Sequence, residues 1–215
     1  MENRLFFVSG IDTDAGKSYV TGYLARIWNE QGIRTITQKF IQTGNVGYSE
    51  DIDLHRRIMG TGYLPEDKEM LTMPEIFSYP CSPHLASRID GRNIDFEKIK
   101  SATGELCKRY DRVLLEGAGG LMVPLTEDFL TIDYIAANKI PLIFVTSGKL
   151  GSINHTLLSL EAIRNRGITL DTVAYNLYPR EKDVTIQDDT EQFIRKYLAN
   201  NFPQTHFVVV PLVNI

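Results

Sequence analysis

With 215 residues and 43% hydrophobic content, the chain can bury a sizeable core, and its length sits at the upper end of one domain rather than two. Its 23 basic and 27 acidic residues sum to −4, so no basic face advertises nucleic acid or an anionic membrane. Only Cys81 and Cys107 are present, no secretory leader precedes the first strand, and no apolar run approaches the roughly 20 residues that span a bilayer; a soluble, reducing, cytoplasmic setting is expected.

Leu5 to Ser9 reads as a buried strand, and it empties into Gly10–Ile11–Asp12–Thr13–Asp14–Ala15–Gly16–Lys17–Ser18. A glycine-bounded loop ending in Gly-Lys-Ser as a helix begins is how a protein holds a polyphosphate. Backbone N–H groups and the positive helix end converge on anionic oxygens, the lysine reaches the β/γ-phosphates, and the serine hydroxyl ligates Mg²⁺. Five residues, Ile11 to Ala15, separate Gly10 from Gly16, one more than in a standard P-loop.

Val20, Leu24, Ile27 and Trp28 follow at helical spacing up to Gly32, and Thr35 to Phe40 is strand-like, completing a βαβ unit. From Gly44 to Gly91 the chain is polar and turn-rich, with Pro65, Pro74, Pro80 and Pro83; only Asp51 to Met59 reads as helix, in an elaboration over the sheet's carboxyl edge. Further helices are predicted over Phe96 to Arg109, Phe129 to Asn138, Asn154 to Arg166 and Asp188 to Asn200. Apolar, β-branched strands are predicted at Arg112 to Leu115, Ile140 to Thr146, Leu170 to Asn176 and Phe207 to Val210. The run 179–183 reads as a surface loop, and no repeat or long linker divides the chain. The expected fold is α/β, a doubly wound, mostly parallel sheet of P-loop NTPase type, in one domain over residues 1–215.

In open α/β sheets ligands collect outside the carboxyl ends of strands. Lys39 and Thr43 follow the second strand; Lys39 reads equally as a solvated strand end. Glu116, after the third strand and before Gly117, Gly119 and Gly120, is placed to bind Mg²⁺ as a Walker-B acid does, or to pair with an arginine. Asp51 could complement a helix N-terminus, and Asn176 could either face an adenine edge or form a turn. His55, His84, His155 and His206 have no metal-ligand spacing, and no Gly-x-Ser-x-Gly elbow supports a serine nucleophile.

Together these segments resemble the dethiobiotin synthetases. G-I-D-T-D-A-G-K-S is similar to that family's G-T-D-T-x-x-G-K-T, with the same five-residue interval, and Q-K-F-I-Q-T-G to its K-P-x-x-[ST]-G. Y-P-C-S-P-H-L-A-S, L-E-G-A-G-G-L-M-V-P-L and K-L-G-S-I-N-H-T-L-L resemble its P-x-S-P-H-x-A, V-E-G-A-G-G-x-x-x-P-L and x-L-G-x-I-N-H-x-L-L, so the matches run from Gly10 to Pro211. Phe40 stands where the family has proline, Ser18 where it has threonine, and four residues follow Pro211, fewer than in many relatives.

The resemblance implies ATP- and Mg²⁺-dependent closure of a ureido ring on 7,8-diaminononanoate with CO₂, releasing ADP and phosphate, in a homodimer with its active site near the subunit interface. Carried over, Lys17, Lys39, Thr13 and Asp14 are catalytic, and Ser18, Asp51 and Glu116 hold Mg²⁺. ATP is met by Gly10, Asp12, Thr13, Asp14, Ala15, Gly16, Lys17, Ser18, Asn176 and Pro211. Thr43 and Gly119 meet the substrate, and Gly151 and Asn154 receive its distant carboxylate from the partner subunit; capping of the helix by Ser152 or Asn154 is compatible with that role. The strongest rival, a partitioning-type switch ATPase, would carry a lysine early in the loop, where Ile11 to Ala15 has none. A cobyrinate-type synthetase would need a glutaminase domain for which no chain remains.

Overall fold

The computed structural model describes residues 4–178 and 183–212. Six strands form one sheet: β1 (Leu5–Gly10), β2 (Thr35–Lys39), β5 (Arg112–Gly120), β6 (Leu142–Ser147), β7 (Leu170–Asn176) and β8 (His206–Val210). Their order is β2-β5-β1-β6-β7-β8, and every pairing is parallel. The chain builds outward on one side of β1 and then on the other, so the crevice at the carboxyl end of β1 is where a ligand has room to enter.

Strand alternation explains the two layers. Phe6 and Val8 point to one face, against Tyr19, Val20 and Leu24 of α1 (Lys17–Glu30). Phe7 points to the other, where Leu115, Leu142, Phe144 and Tyr175 meet Leu160 and Ile163 of α7 (Ser152–Asn165) and Ile194 of α8 (Val184–Asn201). Helices α5 (Phe96–Arg109) and α6 (Thr131–Ala137) add Ile99, Ile132 and Ile135 to the same side. Strands covered on both faces need near-continuous apolar runs, which these sequences supply.

The 44–91 stretch is more ordered than its composition predicts. Besides α2 (Glu50–Met59) it holds α3 (Pro65–Lys68), α4 (Pro83–Ile89) and a short parallel pair, β3 (Gln42–Thr43) with β4 (Ile76–Phe77). Pro65 and Pro83 open helices at the first position, where the missing N–H costs nothing, rather than marking turns. Glu116 also differs from expectation: it lies inside β5, not after it, because Gly117 to Gly120 continue pairing as far as Gly10, across a register shift. Of the run 179–183, only Asp183 is described, and its carboxylate caps α8 through the N–H groups of Thr185 and Ile186; the rest lies outside the described residues.

Candidate active site

The loop leaving β1 forms a 3₁₀ turn over Thr13–Ala15, capped by Asp12, whose carboxylate accepts from Asp14 N at 2.5 Å. Gly16 then takes φ 79°, and a Cβ there would collide with the Asn176 amide, so only glycine serves. Lys17 folds back with Nζ 2.8 Å from Asp12 O and 3.3 Å from Thr13 O. It is 4% exposed, and burial followed by the charge of Lys39 pulls its pKa down to about 8.

Four elements meet beside it. Ser18 Oγ lies 2.7 Å from Asp51 Oδ1 and 2.8 Å from Glu116 Oε1. Lys39, the last residue of β2, pairs with Asp51 Oδ2, with Glu116 Oε1 at 2.8 Å and with Gly117 O at 3.2 Å. Register explains the meeting, since Lys39 and Val8 both sit opposite Glu116. Burial opposes charge on Lys39, yet the Glu116 and Asp51 carboxylates outweigh it and hold the ammonium above its ordinary range. Burial likewise opposes ionisation of Glu116, and Lys39 and His55 overcome it, holding the carboxyl well below the usual range.

Asp51 reaches this cluster because α2 is pinned at its start and middle. Ser49 accepts from Ile52 N at 3.2 Å as the cap and donates to Gln42 Oε1 at 2.6 Å. Arg56, buried, joins Asp67 at 2.8 Å and Thr37 of β2 at 2.9 Å. Asp51 therefore sits in the helix's first turn and in the charge cluster at once, and Lys39 is not a solvated strand end. Glu116 pairs with a lysine and a histidine rather than an arginine; His55 is the member the sequence reading passed over.

Thr13, Thr43 and Gly119 line one cavity of about 410 Å³ with Glu50, Cys81 and Ser82. Asp14 is exposed nearby in the loop. Gly151 and Asn154 are elsewhere and exposed, at the start of α7. Gly151 is the N-cap, at φ 92°, and no side chain caps this helix; Ser152 instead donates to Ser147 O at 2.6 Å. Asn176 ends β7 with its amide spent on backbone: Nδ2 donates to Ala15 O at 3.0 Å and Tyr178 O at 2.6 Å, and Oδ1 accepts from Tyr178 N. Pro211 O accepts from Tyr19 OH at 2.9 Å, and Tyr19 stacks on Tyr178, so these two positions flank one corner of the loop.

Ser18, Asp51 and Glu116 supply hard oxygen donors converging within hydrogen-bond distance of one hydroxyl, a set that fits Mg²⁺ completed by phosphate and water.

A parallel sheet with a phosphate loop, a buried lysine pair and two carboxylates defines a P-loop nucleotide-dependent protein, and residues 4–211 match the AAA domain family. Solved structures with this fold include a putative plasmid partition protein from Borrelia burgdorferi bound to AMPPNP, at TM-score 0.56 and 10% identity over 100% of this chain and 89% of that one. FlhF complexed with GMPPNP and Mg²⁺ gives TM-score 0.54 and 15% identity over 100% and 68%. Identities this low speak for the fold alone. The chain belongs to the ATP-dependent dethiobiotin synthetase family: it is 49% identical to ATP-dependent dethiobiotin synthetase BioD 2 of Pasteurella multocida over 99% of both chains. It is also 54% identical to that of Haemophilus influenzae over 82% and 92%, and 50% identical to the BioD of Chlorobaculum tepidum over 90% and 81%.

Proposed function

We propose that this chain, as one domain, makes dethiobiotin from 7,8-diaminononanoate, CO₂ and ATP with Mg²⁺, working as a cytoplasmic homodimer. As a member of its family it is an ATP-dependent ligase of biotin biosynthesis. The observation that carries the fuller reading is the convergence of Lys17, Ser18, Lys39, Asp51 and Glu116 beside the cavity that Thr13, Thr43 and Gly119 share.

One substrate amine captures CO₂ as a carbamate, the carbamate oxygen takes the γ-phosphoryl group, and the second amine attacks the mixed anhydride and expels phosphate. Such a sequence needs charge neutralisation and alignment more than covalent help. Lys17 and Lys39 would neutralise the phosphates and carbamate. Thr13 and Asp14 would line the phosphate and amine region, and Thr43 would hydrogen-bond the carbamylated amine. Gly10, Asp12, Ala15 and Gly16 would shape the loop around ATP, with Asn176 and Pro211 on the adenine side. Mg²⁺, held by Ser18, Asp51 and Glu116, would supply Lewis-acid neutralisation of phosphate charge.

Dimerisation is supported by exposed apolar residues along this edge. Met122 and Leu158 border a groove with Ile11, Asp12 and Thr13, and Leu150, 78% exposed, precedes the α7 start. A second copy there would bring its Gly151 and Asn154 to the substrate's distant carboxylate, at an anion-suited helix N-terminus. Among the described residues no helix is long and apolar enough to cross a membrane, and both cysteines are free, in keeping with a cytoplasmic setting.

The test is ATP-dependent incorporation of labelled bicarbonate into a stable cyclic urea when the diamine is present. Labelled dethiobiotin with equimolar ADP is expected. ATP hydrolysis with no labelled product would overturn the proposal in favour of a nucleotide switch.

A further inference from the structure

Asp51 and His55 stand one turn apart on the same face of α2, and both reach the charge cluster, but only Asp51 has a role in the reading above. His55 is fully buried, with Nε2 2.7 Å from Glu116 Oε2. The opposite oxygen, Oε1, accepts from Ser18 Oγ and Lys39 Nζ, each at 2.8 Å. An ionised carboxylate only accepts, so the shared proton belongs to His55 Nε2. Nδ1 is buried with no hydrogen-bond partner, so among the described contacts the ring's polar work is spent on Glu116 alone.

The close seat of the ring depends on α1 as well. A Cβ at Gly22 would stand 3.2 Å from His55 Cα and 3.1 Å from Ile58 Cβ, so a glycine at this turn lets α2 pack close against α1. Without a donor at Oε2, Glu116 would hold a buried unpaired oxygen and could swing that edge toward Lys39 or Ser18 instead.

We propose that His55 is a positioning residue: it clamps Oε2 so that Glu116 presents Oε1 to the Ser18 side, where Mg²⁺ would be bound. This rests on the reading of Glu116 as a metal ligand. Partners that orient a ligating group commonly matter tenfold or more to metal affinity.

The test measures Mn²⁺, a paramagnetic substitute for Mg²⁺, binding to the full chain with saturating ADP, by electron paramagnetic resonance, without diamine or bicarbonate. His55→Asn keeps a buried amide too short to reach Oε2, and His55→Gln extends an N–H to about the place of Nε2. His55→Asn should weaken Mn²⁺ binding about tenfold or more and His55→Gln less than about threefold, with metal-free ADP affinity unchanged in both. Wild-type affinity in His55→Asn, or equal losses in the two variants, would overturn the proposal.

Should neither variant fold, the wild-type protein still decides. Nitrogen-15 NMR of labelled histidine should find a proton on His55 Nε2, and a ring protonated on Nδ1 alone would overturn the assignment. Product formation by wild type is scored separately. An inactive wild type whose His55→Asn variant loses Mn²⁺ removes the proposed reaction and keeps the clamp; an active wild type with unchanged Mn²⁺ affinity in His55→Asn removes the clamp alone.

Discussion

Buried Lys39 pairs with Asp51 and Glu116, both of which meet Ser18, and buried His55 holds Glu116, whereas Gly151 and Asn154 at the start of α7 are exposed and lack any side-chain cap. The contrast fits what the proposed reaction would ask of each end. Phosphoryl transfer gains most from charges already in place in a low-dielectric setting, and buried charges persist only when paired. A carboxylate several methylenes from the reacting amines asks only for a helix N-terminus, which a second subunit can cover.

The sharpest way to break the comparison is at the buried end. Lys17→Ala should leave the fold intact and lower the rate of dethiobiotin formation on the order of 10³-fold or more, as expected for one desolvated charge contact in phosphoryl transfer. A coupled ADP assay showing near-wild-type turnover would remove the loop assignment.

At the exposed end the effect should be smaller and confined to one substrate. Asn154→Asp sets a like charge against the distant carboxylate, so KM for the diamine should rise roughly tenfold while KM for ATP barely moves. Mixing Lys17→Ala chains with Asn154→Asp chains should then restore activity above either parent, because some sites draw an intact loop from each subunit. Confirmed subunit exchange without recovery would assign the α7 start to its own subunit.

The smallest effect comes from pH. Lys17, pulled down to about 8 by burial and then by Lys39, loses its proton in the empty site as pH rises through that value. Phosphate favours the charged form, so nucleotide binding should take up protons near pH 8, and ATP affinity should fall about twofold between pH 7 and 8. Titration calorimetry in buffers of different ionisation enthalpy checks this; absence of uptake would mean that Lys17 stays charged in the free enzyme.

Local patterns were legible and cross-chain contacts were not. Helix α5 and strand β7 lie where periodicity and apolar runs put them, at Phe96–Arg109 and Leu170–Asn176. The predicted strand stops at Leu115, with Glu116 and the glycines after it, yet Glu116 to Gly120 continue the strand where neighbouring β1 supplies the pairing. His55 was weighed only for metal-ligand spacing, and its partner is 61 positions away. Asn176 offered an amide after a strand; that its donors already bind Ala15 and Tyr178 depends on a fold that carries β7 to the phosphate loop.

By itself the sequence determined the phosphate loop, the alternation of strands and helices, and the family, because these are written in short-range spacing that needs no partner: a glycine interval, a period of two or 3.6, a run of motif residues. Only the tertiary structure decided that Lys39, Asp51, His55 and Glu116 share one cluster, with Lys39 on Oε1 of Glu116, His55 on Oε2, and Asp51 joined through Lys39 and Ser18. Sheet register and the close approach of α1 to α2 make those contacts, and both arise from packing between segments far apart in the chain.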